Sequence, residues 1–407
     1  KYVPNKYAFG YMERAGVRFK TGDYLSAGAD FFEQYAKDWW RIFSGTDHGM
    51  KKVSGGMTVR TNWNLIETRL TDLWKAEDRM RAPFSPCRDL VRDRGKYYTE
   101  YLDPLRLSDG SLVMLKTGMS KTRELVKVDS AGNQKGLTYF SYSASPLVKD
   151  SNDRILFSEV IPDHRYGMRS YSVIREYDPF RDKFRNITSR TRYFNPTLSE
   201  DEKSIFAVEY KVEGGSSVVE IDRNDGTLLN KTDVPSGGQL SEVLQVAGRI
   251  YATVIANEGI VLMRYSDGRW QAETDTVNNA IRHLRRFGKE EMTFTSDFNG
   301  MDNVYLVNVK TRDIHRITSS RFGARNPQID EVTRNLYYSD YDVQGYRPVS
   351  VPLDSLERKD AELVRIYEDY IVDALSSQAK AFVKMPSPQE DSVLMEKVQQ
   401  TESRPYR

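Results

Sequence analysis

Two periodicities divide this chain of 407 residues. Over residues 1–85 apolar side chains recur every three or four positions; from about Tyr97 they alternate with polar ones. In the first part Val59, Trp63, Ile66, Leu70, Leu73 and Trp74 fall on one face of a predicted helix, with Thr58 placed as its N-cap. An earlier helix over about Tyr24–Phe43 aligns Phe32, Tyr35, Trp39 and Phe43, and Pro4 is placed to open a first helix carrying Tyr7, Tyr11 and Met12. Gly45, Gly49, Gly55 and Gly56 are expected to break the second helix from the third. Residues 86–96, rich in Arg, read as a linker.

The alternating part repeats itself. Ile187–Pro196 (ITSRTRYFNP) returns almost letter for letter at Ile317–Pro327 (ITSSRFGARNP). Six modules superimpose, their first strands holding Asp103-Pro104, Ser145-Pro146, Asn195-Pro196, Glu242-Val243, Arg282–Leu284 and Asn326-Pro327. Second strands are predicted at Leu112–Leu115, Ile155–Ser158, Ile205–Val208, Ile250–Val254, Met292–Thr295 and Leu336–Ser339. Turns such as Asn224-Asp225-Gly226 and Ser266-Asp267-Gly268 supply the positive φ that tight hairpins need. A repeat of roughly 40–50 residues with four strands in each is the signature of propeller blades. The expected fold class is mainly β: a six-bladed propeller over 97–367, preceded by an α-helical domain over 1–85. Closure is expected either from Leu363–Tyr367 or from Leu90–Tyr98 crossing over from the N-terminal side, because an unpaired blade edge exposes backbone donors and acceptors. Residues 368–407 read as a weak helix and a polar tail, too poor in apolar residues for a core of their own.

Composition narrows the partners. Lys and Arg number 60 against 58 Asp and Glu, a net charge of +2 that offers no whole-molecule field to nucleic acid or an acidic membrane. No stretch approaches the roughly 18 consecutive apolar residues of a membrane span. The 25 tyrosines suit a protein of many half-buried strands. Cys87 is the only cysteine, so there is no intrachain disulfide, and it reads as a packed side chain. A start at Lys1 without a signal peptide is expected of a processed or trimmed product.

The module Leu105–Gly110, Pro196–Glu202 and the closing Ile317-Thr318 resemble the TolB-type six-bladed propeller family over about Tyr97 to Tyr367. Tyr2-Val3-Pro4-Asn5, Thr191-Arg192-Tyr193-Phe194, Ser339-Asp340-Tyr341 and Gly345-Tyr346 are similar to segments of large exported Bacteroidetes proteins. In those a gluzincin-like peptidase segment with HExxH precedes such helices, and an outer-membrane-associated region sometimes follows the propeller. The resemblance implies that 1–85 is the back half of a peptidase-like domain, and that the protein resides in the periplasm or at the outer membrane.

Catalytic constellations are not legible. The histidines at 48, 164, 283 and 315 include no helical pair four apart, so no HExxH-type zinc site is expected, nor any cofactor. Ser216 lacks the second Gly of a nucleophile elbow, and neither GxGxxG nor a P-loop occurs. Asp297, Asn299 and Asp302 make an oxygen-rich loop, a weak calcium candidate set against a hairpin with Asx-turns. Arg282–Lys289 is basic and reads as a solvated blade edge.

Strand direction sorts the loops. Turns between strands one and two, and three and four, share one face and are short. Loops between strands two and three, and the joins between blades, share the other. That second face carries Asp163, His164, Arg165, Tyr166 and Arg169; then Arg192, Tyr193 and Phe194; then Arg321 and Phe322; and finally Asp340, Tyr341 and Tyr346. Arg, Tyr and Phe are favoured at interface hot spots. The expected function is a non-catalytic cell-envelope propeller that binds a protein or peptide as part of a larger exported protein. The alternative is a propeller that regulates or gates an upstream zinc metallopeptidase domain.

Overall fold

In the computed structural model the alternating region forms six antiparallel sheets, each a blade. The structure describes residues 12, 15–20, 24–37, 43, 45–140, 146–235, 237–298, 300–363 and 396–397. The chain divides into two units, Lys1–Met80 with Tyr367–Arg407 and Arg81–Ile366. Blade 1 spans 99–139, blade 2 148–186, blade 3 193–233, blade 4 239–272, blade 5 282–316 and blade 6 324–352.

All six predicted second strands are present, and their inner residues show why alternation fades there. Ile205, Phe206, Ala207 and Val208 are buried in succession, because a blade's middle strands are covered on both faces by neighbouring blades. Each gap between blades holds its own apolar core. Leu105, Leu125, Phe157 and Tyr177 fill the gap between blades 1 and 2. Leu156, Ile174, Ile205 and Val219 fill the next, and Phe206, Val218, Leu240 and Val254 the third. Leu244, Tyr251, Phe294 and Tyr305 join blades 4 and 5; Val304, Leu306, Tyr338 and Val349 join 5 and 6. Val91, Tyr101, Met114 and Tyr337 close the ring between blades 6 and 1.

Closure follows the N-terminal alternative, with the pairing shifted two residues toward the N-terminus. Arg88–Asp89 pairs antiparallel with Ser350 and Val349 as the outer strand of blade 6, and Leu90 N–H extends the ladder to Pro348 O at 3.0 Å. The closing strand thus comes from the N-terminal side, but just ahead of Leu90 and inside the stretch read as linker. Arg94 then anchors to Asp342, 3.0 Å from Nη1 to Oδ1 and 2.5 Å from Nη2 to Oδ2. On the other side, Lys359–Asp360 adds a fifth strand to blade 5 and Leu363 packs into the core between blades 4 and 5. Residues 364–367, and the tail expected beyond them, lie outside the described residues apart from 396–397.

The helical unit contains Tyr24–Lys37, Asp47–Val53 and Val59–Arg81. Thr58 Oγ1 accepts the Thr61 N–H at 3.1 Å, as a cap should. The stretch expected as a glycine-broken connection is instead a short helix: Gly49 sits inside it, where a Cβ would stand 3.2 Å from the Phe31 ring. Asn62, Ile66 and Leu70 face the core of this unit, whereas Trp63 and Trp74 of the predicted apolar face are exposed. The buried stripe is therefore narrower than the apolar pattern. Phe31, rather than Phe32, is the buried ring of the preceding helix. Most of the helix expected from Pro4 lies outside the described residues. No described helix is long and apolar enough to cross a membrane.

Candidate functional site

Five of the six innermost strands share a defect that builds the axis. The ladder register slips between Leu102 and Leu105, Phe194 and Thr197, Leu240 and Glu242, Arg282 and Arg285, and Arg325 and Gln328. At four of these bulges a non-glycine residue adopts positive φ: Asp103 at 51°, Asn195 at 49°, His283 at 57° and Asn326 at 53°. A bulge re-aims a side chain. Here the re-aimed groups bond from blade to blade. Asn326 Nδ2 donates to Asp103 Oδ1 at 3.0 Å, and Asn195 Nδ2 to Ser241 O at 2.7 Å. Glu242 accepts the backbone N–H groups of His283 and Leu284 at 2.9 and 2.8 Å. Arg285 bridges to Asp103 Oδ1 and to Leu147 O, both at 3.2 Å.

This axis concentrates perturbed titratable groups. Burial raises the Asp103 carboxyl above its ordinary range, against the opposing pull of Arg285. Burial likewise raises Glu242, although His283 and Leu284 donate to it. Burial and then the guanidinium charges of Arg285, Arg282 and Arg325 hold His283 neutral, well below an ordinary imidazole. Its Nδ1 is out of contact with water and has no hydrogen-bond partner in the structure. A recess of about 200 Å³ opens beside Arg285, lined by Lys149, Thr197, Arg286, Gln328 and Glu331. In the sequence the X-Pro dipeptides serve to align the repeats. The signal for the axis was in those same positions: a polar residue before Pro in one module after another.

The long-loop face separates into packed and exposed members. Asp340 is buried, accepting Ser320 Oγ at 2.7 Å and Arg347 Nη2 at 2.7 Å. Tyr346 is buried beneath Arg325, whose guanidinium carbon stands 5.2 Å from the ring centre, and its own hydroxyl is pushed up to about 12 by burial. Tyr341 packs on Tyr346 at 4.9 Å, and Phe194 on Tyr210 at 5.4 Å. Tyr193 lies against the core between blades 2 and 3, and Arg192 Nε donates to Tyr210 O at 2.6 Å. Most of these contacts lie within blade 3 or blade 6, so the side chains are committed to packing.

Two stations stay open. On blade 2, Asp163 accepts the backbone N–H groups of Arg165 and Tyr166 at 2.8 and 3.0 Å, which sets the loop. His164, Arg165, Tyr166 and Arg169 are exposed on it, Tyr166 to 54%, and Met168 is fully exposed. Arg165 covers Tyr166 at 5.5 Å, while Arg169 and Arg190 flank Tyr171 at 5.1 and 5.6 Å. On the join between blades 5 and 6, Arg321 lies between Phe84 and Phe322 at 5.8 and 5.3 Å, and Phe322 is 50% exposed.

Two of the three calcium candidates are engaged by the protein itself. Asp297 caps the Ala280 N–H at 2.9 Å, and Asp302 is held by Arg282 at 3.1 Å and Arg325 at 2.5 Å. Two guanidiniums on one carboxylate leave no charge for a cation. Asn299 lies outside the described residues, among which no cluster of three or more His, Cys, Asp or Glu could hold a metal.

Six sheets around a polar axis define a six-bladed β-propeller. Among solved structures the chain is similar to TolB from Acinetobacter baumannii, at 14% identity and TM-score 0.46, covering 68% of this chain and 67% of that one. It is similar to a gluconolactonase from Xanthomonas campestris at 10% identity and TM-score 0.47, covering 68% and 99%. For an acylaminoacyl peptidase from Pyrococcus horikoshii the values are 12% and 0.42, covering 68% of this chain and about half, 54%, of the peptidase. No family model and no curated protein matches the chain.

Proposed function

We propose that this propeller is a non-catalytic binding module of the cell envelope, part of a larger exported protein, and that it holds a protein or peptide on its long-loop face. The observation that carries the reading is the blade 2 loop. Arg165, Tyr166, Met168 and Arg169 project from a turn pinned by Asp163. Rigid aromatic and cationic groups presented at little ordering cost are what an interface anchor needs. Arg321 and Phe322 offer a second station on the same face. Placement in the periplasm or at the outer membrane rests on the resemblance to exported propellers. The non-catalytic reading is supported by the axis, where Asp103 is bound by Arg285 and Asn326, and Glu242 by the backbone of His283 and Leu284.

The test is a pull-down from envelope extract with Tyr166→Ala, Arg165→Ala and Phe322→Ala, with melting measured in parallel. Hot-spot truncations cost about 2 kcal/mol or more in binding, whereas exposed changes alter stability by about 0.5 kcal/mol. Undiminished capture by all three variants, or hydrolysis of peptide or lactone lost on a single axial substitution, would overturn it.

A further inference from the structure

The seam that closes the ring holds a cavity on the short-turn face, opposite the blade 2 loop. The cavity, of about 600 Å³, opens between blade 6 and blade 1, with the closing strand as one wall. Arg88 on that strand and Arg92 just beyond it line the cavity. The second wall is the blade 1 turn Asp129–Gly132, and the third is blade 6 at Asn335, Tyr337 and Ser350. Leu90, Val91, Leu112 and Pro352 supply apolar surface. The volume lies within the range of small-molecule sites, about 300–1,000 Å³.

Charge decides what such a cavity would take. Both acids on its rim are engaged elsewhere. Asp89 pairs with Arg347 at 2.8 Å. Asp129 accepts the N–H groups of Ala131 and Asn133 and the Asn133 side-chain amide, each at 2.9 Å. Neither Arg88 nor Arg92 has an ion-pair partner among the described residues, and both are exposed. Two guanidiniums without an ion-pair partner therefore line one cavity, while the Asp129 carboxylate that shares it keeps its charge and is turned onto the N–H groups of its own turn. A planar fork of donors matches the oxygens of a carboxylate or phosphate. The segment just past the closing strand packs closely on the blade 1 turn: a Cβ on Gly132 would stand 3.0 Å from Arg92 Cγ and 3.2 Å from Arg92 N.

We infer that this seam cavity binds a compact organic anion, a phosphate or carboxylate on a hydroxylated body of sugar-phosphate size, through Arg88 and Arg92. A ligand there touches the closing strand and both blades it joins, so occupancy stabilises the closed ring by mass action. The site is separate from the face proposed to bind protein, and either can fail without the other.

Titration calorimetry and thermal melting of the full chain are the test, with glucose 6-phosphate, glucuronate and neutral glucose. At least one anion is expected to bind at one site and to raise the melting temperature, while glucose does neither. Response to glucose 6-phosphate alone assigns a phosphate, and response to glucuronate alone a carboxylate. Arg88→Gln/Arg92→Gln should weaken binding by about tenfold or more, as loss of paired charge-assisted contacts does. A second check needs no variant: binding to the native chain must weaken as sodium chloride is raised. Binding of glucose equal to that of the anions, no response to either anion, or unchanged affinity in the double variant overturns the inference.

Discussion

Arg285 of blade 5 places Nη2 3.2 Å from Asp103 Oδ1 of blade 1, and both side chains are buried on the propeller axis. The same nitrogen reaches Leu147 O at the entry to blade 2, the blade opposite its own. One guanidinium thus ties three blades together at the place where six inner strands converge.

Removing that guanidinium leaves a buried carboxyl without its counter-charge. Arg285→Met should therefore destabilise by about 3–5 kcal/mol, the usual cost of breaking a buried pair from one side. Arg285→Met/Asp103→Asn should recover a large part of the loss. Urea unfolding of the three proteins checks this, and equal losses for the single and double variants would contradict it.

His283 gives the stability a pH dependence. Burial and the charges of Arg285, Arg282 and Arg325 depress its folded value, so the folded chain binds its proton less readily than the unfolded one. Its contribution is fully present above about 6.5, the ordinary histidine value, and is lost as pH falls from there toward the depressed value. Asp103 and Glu242, raised by burial, act in the opposite sense: their contribution is present at low pH and is lost as pH rises through their folded values. His283→Asn keeps a side chain that tolerates positive φ. It should flatten the fall in melting temperature between about pH 7 and pH 5; parallel curves for the two proteins would count against this assignment.

Arg223 forms a buried hub between blades 2 and 3. Its Nη2 lies 2.5 Å from Asp150 and 2.8 Å from Glu176, with Nε 3.0 Å from Glu176. A lysine cannot reproduce this fork, so Arg223→Lys should cost about 2–3 kcal/mol in the denaturation midpoint. Arg185→Ala, which removes a more exposed partner of the same glutamate, should cost about 1 kcal/mol or less. Equal costs would refute the hub.

Gly345 is predicted to be irreplaceable at the seam. It has φ of 110°, and a Cβ there would fall on the Thr99 carbonyl oxygen, just where blade 1 begins. Gly345→Ala should lose at least about 2 kcal/mol from strain and displaced backbone. A melting curve that matches the native protein would show that the loop can yield.

Within the long-loop face, burial separates two tyrosines that look alike in the sequence. Tyr346→Ala empties a packed site under Arg325 and should cost about 3 kcal/mol or more, whereas Tyr166→Ala should stay within about 0.5 kcal/mol. Similar melting shifts for both would dissolve the distinction.

Local periodicity was enough to read the blades. Ile205–Val208 and Leu336–Ser339 announce buried strands because apolar runs between turn residues have few other places to go, and the repeat of Ile187–Pro196 at Ile317–Pro327 sets their order. The helix at Val59–Arg81 was legible for the same reason, though Trp63 and Trp74 show that an apolar residue in phase with a stripe need not be covered by it. Tertiary structure alone decided the closure, because Arg88–Asp89 contributes backbone groups to Val349 and Ser350, and a backbone ladder leaves almost no mark on side-chain pattern. It also decided which of Arg165, Tyr166, Asp340 and Tyr346 remain open to a partner. Residue type supplies the capacity to bind, but exposure depends on which neighbouring strands and loops pack over the side chain, as Ser320, Arg347 and Arg325 do over Asp340 and Tyr346. The axis combines both: Asp103-Pro104, Asn195-Pro196 and Asn326-Pro327 are visible in the chain as repeats, and only the convergence of six strands turns them into one polar network around Arg285.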